Sequence, residues 1–137
     1  MASIRREIVI EARPADVWDA IRDVGAVHTR LAPGFVTNTK MDGDARIVTF
    51  GNGLVARELI VDVDEDARRL AWALVGGRLT HHNASLQVFA HGDANCRAVW
   101  VADLLPNDLA GTIAGMIEQG MSVMKKTLEA AGQSALV

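Results

Sequence analysis

Hydrophobic and polar residues alternate along much of the first hundred positions, and a helical pattern replaces this alternation near the end of the chain. In residues 4–12, Ile4, Arg6, Ile8 and Ile10 share one face of the alternation, which predicts a half-buried strand. Six more strands are predicted between turns rich in glycine, aspartate and asparagine, which are typical of hairpins. They cover residues 35–41, 46–50, 54–63, 70–75, 80–90 and 96–105.

One long helix is predicted over residues 107–132, because its apolar residues recur every three or four positions and gather on one face. Gly120 falls in the middle of that face. Glycine costs a helix about 1 kcal/mol relative to alanine, and it leaves a notch where a core helix normally places bulk. We therefore predict a lid over a cavity, although the methionines of this face could equally fill a solid core. The helix residues predicted to contact a ligand are Ile113, Met116, Ile117, Gly120 and Met124.

Two short helices are predicted between the first and second strands. Residues 14–24 begin with Pro14, which suits a first helical turn, and Gly25 ends the pattern. The second helix covers about residues 26–31. This order of elements predicts an α+β fold, in which the C-terminal helix covers the apolar face of a seven-stranded antiparallel curved sheet. We expect one domain over residues 1–137, with its core at about residues 3–131.

Two tryptophans are the best candidates for the walls of a pocket. Strand parity turns Trp72 and Trp100 toward the helix, and Ala98 and Ala102 flank Trp100 on the same face. Two small residues beside a large indole suggest space for a ligand. Indole rings that simply fill a core would give the same pattern, since aromatic residues favour burial.

His82 is the leading titratable candidate, because its strand parity matches that of the apolar Leu86 and Val88. A neutral imidazole in an apolar cleft could bind a ligand hydroxyl or carbonyl, or act as a general acid or base. The alternative is a strand histidine bonded to a neighbour or to water. His81 points to the opposite face, so the two histidines cannot share a metal ion, and no metal site is expected.

Arg57 and Glu58 lie on opposite faces of one predicted strand, and both faces are apolar enough that the pattern does not choose between them. Whichever residue faces inward would be a buried charge that needs a partner, and so a catalytic candidate beside His82. His28, on the second short helix, is predicted to lie near the mouth of the cavity and contact a ligand. Each of these residues could instead face solvent.

Composition excludes several classes of function. The 137 residues are 50% hydrophobic and carry a formal net charge of −3, with basic residues scattered along the chain, so nucleic-acid binding is not expected. Neither a signal peptide nor an apolar run long enough to cross a bilayer is evident, so we expect a cytoplasmic protein without membrane insertion. Cys96 is the only cysteine, so no internal disulfide can form. The glycine-rich turns open no helix, so no phosphate cradle is expected.

Several segments together resemble a known family over nearly the whole chain. The residues concerned are 10–18 at the first strand–helix junction, 23–25, 53–58, 69–72 and Trp100. The chain resembles the START/Bet v 1-like (SRPBCC) superfamily, and within it the bacterial polyketide cyclase/dehydrase-like group. The resemblance implies the helix-grip fold and a cavity between the sheet and the last helix.

The resemblance leaves three functions open. The leading expectation is a protein that binds a small hydrophobic or aromatic metabolite in the cavity. The second is a cyclase, aromatase or dehydratase that uses the same cavity, with His82, Arg57 or Glu58 moving protons. The third is a protein-interaction module similar to chaperone activators. None of these implies a metal or nucleotide cofactor, and the chain could be a monomer or a homodimer.

Overall fold

The computed structural model describes the backbone of residues 1–135 and the side chains of residues 1–132, and it confirms the predicted helix-grip architecture. Seven strands form one antiparallel sheet in the order β1-β7-β6-β5-β4-β3-β2. The strands are β1 (Ala2–Ile10), β2 (Val36–Asp42), β3 (Ala45–Phe50), β4 (Val55–Asp64), β5 (Arg69–Val75), β6 (His81–His91) and β7 (Asn95–Leu105). Their bounds lie within two residues of the predicted ones.

The helical segments differ from the predicted ones mainly at their ends. Helix α1 (Pro14–Arg22) stops before the predicted end at residue 24, and the second segment is a single π-helical turn, Val27–Leu31. The long helix begins with a 3-10 turn, Asn107–Leu109, and continues as α2 (Ala110–Ala135) past the predicted end at residue 132. A glycine often ends a helix by adopting a left-handed backbone conformation. Gly132 does not adopt that conformation, so the helix continues through it.

The core lies between one face of the sheet and the helical segments. Ile10, Ile21, Leu70, Leu104 and Met124 are among the most completely buried side chains, and they come from both sides of this interface. The opposite face of the sheet is open, so alternate residues of β1 and β4 are exposed. The sheet therefore has one apolar inner face, and α2 covers it.

No helix among the described residues has both the length and the apolar character needed to cross a membrane.

Candidate functional site

A cavity of about 90 Å³ lies beneath α2, enclosed by the inner face of the sheet and the turn at Val27–Leu31. Helix α2, strands β2 to β7 and this turn all contribute side chains to its wall. Eight of the nine residues predicted to bind a ligand line it. These are Trp72, His82, Trp100, Ile113, Met116, Ile117, Gly120 and Met124. Their role as ligand contacts stays a prediction.

His28 is the ninth predicted residue, and it does not line the cavity. The π-helical turn directs Val27 and Leu31 to the cavity wall, and these two residues lie one turn apart on the same side. His28 falls between them on a different side, where its Nδ1 atom is buried without a hydrogen-bond partner among the described residues. His28 therefore does not belong to the cavity wall, and its position near the cavity mouth stays a prediction.

Aromatic side chains are concentrated at this cavity. The chain has three tryptophans and three phenylalanines and no tyrosine, and four of these six rings line the wall. Trp72 and Trp100 meet edge to face with their ring centres 5.4 Å apart, and Phe35 and Phe50 do so at 5.5 Å. Small-molecule sites are lined mostly by such hydrophobic and aromatic side chains.

Phe35 occupies the notch at Gly120. A side chain at position 120 would place its Cβ atom 3.0 Å from Cε2 of the Phe35 ring, which is too close for ordinary contact. The notch therefore receives a ring from the loop before β2, and the cavity continues beneath it. Glycine is needed here because the helix and the ring approach so closely.

A second cleft adjoins the two phenylalanine rings. It measures about 230 Å³ and shares Phe35, Phe50 and Met116 with the inner cavity, while Asn52 and Gln119 line its outer part. The inner cavity alone is smaller than the roughly 150 Å³ engineered cavity that holds benzene in another protein. The two spaces are therefore neighbours, separated by these shared side chains.

The inner wall also carries an ion pair that is almost completely buried. Arg46 Nε donates to Glu58 Oε1 at 2.7 Å, and the two side chains are only 6% and 9% exposed. Arg46 Nη1 donates to the backbone carbonyl of Val24 at 3.3 Å. The guanidinium carbon also lies 5.6 Å from the centre of the Trp72 ring, within range of a cation–π interaction. Both charges line the cavity.

Glu58, and not Arg57, therefore faces the cavity. Arg57 lies on the outer face of β4, where its Nη1 donates to Asp42 Oδ2 at 2.6 Å across the exposed surface. Strand alternation requires this choice once Glu58 is inside. The arginine beside Asp42 also holds the pKa of that carboxyl below its usual value. Arg57 therefore does not line the cavity, and its side chain is paired at the outer surface instead.

His82 is buried in the same wall and has a defined hydrogen-bonding state. Its Nδ1 atom accepts the backbone N–H of Leu74 at 3.1 Å, so in the neutral ring the proton is on Nε2. Burial, with a smaller contribution from the nearby His81, lowers the pKa of His82 to about 4. The ring is therefore neutral near pH 7, with an N–H donor at Nε2 that no described residue accepts.

The register of the sheet explains why these polar groups lie together. Arg46 is directly opposite Glu58 across β3 and β4, and Glu58 is directly opposite Leu74 across β4 and β5. The β5–β6 ladder ends at Trp72 and Ala84. Two residues beyond it on each strand, the backbone N–H of Leu74 donates to the ring of His82. Arg46, Glu58 and His82 thus occupy one lateral row on the inner face.

Cys96 is the only cysteine of the chain and lies in the core. Cys96 is fully buried, and burial raises the pKa of its thiol to about 11, so the thiolate is scarce near pH 7. Within the described residues, no group of three or more His, Cys, Asp or Glu side chains is arranged to hold a metal ion.

Arg46 is the charged residue of this site that the sequence analysis missed, and the rings of Phe35 and Phe50 were missed as well. A signal for it does exist, because Arg46 and Glu58 lie six residues on either side of Asn52, the middle of the turn at residues 51–53. A hairpin symmetric about Asn52 places those two residues opposite each other, as the structure shows. An inward Glu58 would then imply an inward arginine as its partner.

Proteins of known structure share this fold. A protein of Thermobifida fusca, solved by NMR in solution, is 28% identical with a TM-score of 0.77, covering 94% of this chain and 91% of that one. Norcoclaurine synthase from Thalictrum flavum is 19% identical with a TM-score of 0.73, covering 95% and 85%. The di-domain ARO/CYC protein BexL of the BE-7585A biosynthetic pathway is 14% identical with a TM-score of 0.80, covering 94% and 47%.

A comparison at the level of sequence families gives a match over almost the whole chain. No protein of curated function matches the sequence. The profile of the family described as "Polyketide cyclase / dehydrase and lipid transport" matches residues 1–130. The match includes every strand and the whole cavity wall. The chain therefore belongs to the polyketide cyclase / dehydrase and lipid transport family.

Proposed function

We propose that this protein binds a small hydrophobic or aromatic molecule in the cavity beneath α2. The observation that carries the proposal is the composition of the wall, in which four aromatic rings and aliphatic side chains surround three buried polar residues. Binding sites for small molecules are mostly apolar, with a few polar groups that set the orientation of the ligand. Membership of the family supports the same class of function.

The size of the cavity sets the size and the affinity of simple ligands. A single aromatic ring buries about 150–250 Å², and this area contributes about 4–6 kcal/mol at 25 cal/mol per Å². Dissociation constants of about 0.03–1 mM are therefore expected for one-ring probes. Because the inner cavity is smaller than one that holds benzene, even a one-ring probe needs Phe35 and Phe50 to move toward the outer cleft, and the flexible side chain of Met116 can adapt to it. The cost of this movement places the dissociation constant at the weaker end of that range.

Carbonyl chemistry of the cyclase or dehydratase kind is the second candidate. It is favoured by the Nε2–H donor of His82 and the carboxylate of Glu58 in one apolar wall. A neutral imidazole can polarise a carbonyl, while a carboxylate can remove a proton from the adjacent carbon. His82 itself is a poor general base here, because its Nδ1 lone pair already accepts the Leu74 N–H and its pKa is about 4.

Calorimetric titration with para-ethylphenol tests the binding proposal. Gly120→Leu introduces a side chain at the notch, where even a Cβ atom would lie 3.0 Å from Phe35, and should abolish binding. Gly115→Leu is the matched control, because position 115 lies on the same helix with no atom within 4 Å of the added Cβ. Binding that survives Gly120→Leu unchanged, or an absence of binding to the unmodified protein, would contradict the proposal.

The enzymatic candidate has its own assay. Exchange of the protons beside the carbonyl of phenylacetone, followed by NMR in deuterated water, should be faster with the protein than without it. The acceleration should fall in His82→Phe, which removes the Nε2–H donor, and remain in His81→Gln on the outer face of β6. If phenylacetone binds but its protons exchange no faster, the binding proposal stands and the proposed carbonyl chemistry is contradicted.

A further inference from the structure

The charges that line the cavity cancel each other. Arg46 and Glu58 are the only charged residues among the described ones in its wall, and they are 2.7 Å apart. His82, the remaining titratable group there, is neutral near pH 7. The other wall residues are apolar or glycine. A ligand in the cavity therefore meets hydrogen-bonding groups but no net charge.

The hydrogen bonds of the pair leave specific atoms for a ligand. Arg46 uses Nε for Glu58 and Nη1 for the carbonyl of Val24. Its Nη2 atom and the second carboxylate oxygen of Glu58 form no hydrogen bond with the described residues, and neither atom is completely enclosed by protein. With His82 Nε2–H, the wall thus presents donors from Arg46 and His82 and an acceptor from Glu58.

We propose that the Arg46–Glu58 pair makes the cavity selective for an uncharged ligand that carries a hydroxyl or carbonyl group, and that it excludes carboxylates. A hydroxyl can donate to Glu58 while it accepts from Arg46, and a carbonyl can accept from Arg46 or His82. A carboxylate would be a second anion beside Glu58 in an apolar enclosure. Moving such a charge out of water costs several kcal/mol when the site offers no unpaired positive charge, and Arg46 is already paired with Glu58.

This inference rests on the proposed binding function, and it names the class of ligand. It also assigns a role to a buried pair that stability alone does not explain. Well-packed apolar residues of similar volume often replace a buried ion pair at no loss of stability. Here the pair supplies polar contacts within the cavity and keeps its net charge at zero, which an arginine or a glutamate alone could not do.

The test compares, by calorimetry near neutral pH, two ligands that share a para-ethylphenyl group and differ in their polar group and its charge. Para-ethylphenol is uncharged there, and para-ethylbenzoate is an anion. The unmodified protein should bind the phenol more tightly by about tenfold or more, given the cost of burying an unpaired charge. Equal binding of the two ligands would overturn the selectivity and leave the binding function intact. Failure of both to bind would overturn both proposals.

Three variants locate the origin of the selectivity. Glu58→Gln leaves Arg46 without its countercharge, so the preference should shift toward the benzoate by about tenfold or more. The double variant Arg46→Gln, Glu58→Gln restores a neutral wall, and the preference for the phenol should return. Asp42→Asn is the matched control, because it removes a carboxylate from the exposed pair with Arg57 outside the cavity, and it should leave the ratio unchanged.

Two results with the variants would overturn the assignment of the selectivity to the Arg46–Glu58 pair. A Glu58→Gln protein that still rejects the benzoate to the same degree would overturn the assignment of selectivity to the pair. An equal shift in Asp42→Asn would do so as well, because it would show a general effect of net charge. If Glu58→Gln fails to fold, Glu58→Leu replaces it, because it also leaves Arg46 without its countercharge. A Glu58→Leu protein that rejects the benzoate as strongly as the unmodified protein would likewise overturn the assignment.

Discussion

Acidification should destabilise the protein through His82. Burial lowers the pKa of this histidine to about 4 in the folded protein, whereas in the unfolded chain it titrates at its ordinary value of about 6.5. At pH values between about 4 and 6.5, His82 is therefore protonated in the unfolded chain and neutral in the folded protein. The full stability is therefore present above pH 6.5, and it declines as the pH falls toward 4.

The size of the effect follows from the difference between the two pKa values. At about 1.4 kcal/mol per pH unit, the free energy of unfolding should fall by about 2 kcal/mol between pH 6.5 and pH 5, and by about 3 kcal/mol by pH 4. The upper interval is the informative one. The carboxylates with lowered pKa values, such as Asp19, Asp42 and Glu129, start to lose their own stabilising contributions only at lower pH.

Urea denaturation at a series of pH values measures this slope. In His82→Gln the titrating group is gone, and the glutamine carbonyl can still accept the Leu74 N–H, so the curve should be nearly flat between pH 6.5 and 5. His81→Gln is the control, because His81 is the exposed neighbour on β6 and its loss should leave most of the slope. Parallel curves for the unmodified protein and His82→Gln would refute the reasoning. Glu58 and Arg46 line the same cavity. Because their opposite charges are in contact, their electrostatic effects on the protonation of His82 largely cancel.

Three further expectations concern stability and reactivity. Gly115→Ala should raise the free energy of unfolding by about 1 kcal/mol through helix propensity, whereas Gly120→Ala should show no such gain in thermal or urea unfolding, because its new methyl group meets an aromatic ring at 3.0 Å. Arg46→Met alone should cost about 3–5 kcal/mol by leaving a buried carboxylate unpaired, and adding Glu58→Leu should recover most of this loss, since apolar replacement of a whole pair is often neutral. Additive losses in that cycle would contradict the reasoning. Cys96, which is fully buried with its thiol pKa raised to about 11, should react with a thiol reagent only as fast as the protein unfolds. Rapid labelling of the folded protein would show that this part of the core opens locally.

The elements of the fold could be predicted because their patterns are local. Alternation in β1 and the three- and four-residue repeat in α2 depend only on neighbouring residues, and the strand bounds were found to within two residues. The same parity correctly placed Trp72, Trp100 and His82 on the side of the helix. Helix ends were less predictable: the long helix continues past the predicted end at residue 132, and Gly132 does not adopt the left-handed conformation with which a glycine ends a helix.

Parts of the candidate site depended on contacts that no local pattern records. Parity alone could not choose between Arg57 and Glu58, because both faces of β4 carry apolar residues. The choice was made by Arg46 directly opposite on β3, which gives Glu58 a buried partner at 2.7 Å. Likewise, Gly120 marked a notch in the helix, but its occupant, Phe35, comes from a loop 85 residues earlier in the chain.

The sequence by itself determined the order and type of the elements, the inward face of each strand and the family, since hydrophobic periodicity and short motifs are properties of neighbouring residues. Only the tertiary structure decided which charges are paired, which ring fills the notch and which nitrogen of His82 is free. Those outcomes depend on register between distant strands and on burial, and burial sets the pKa of a group and the cost of an unpaired charge.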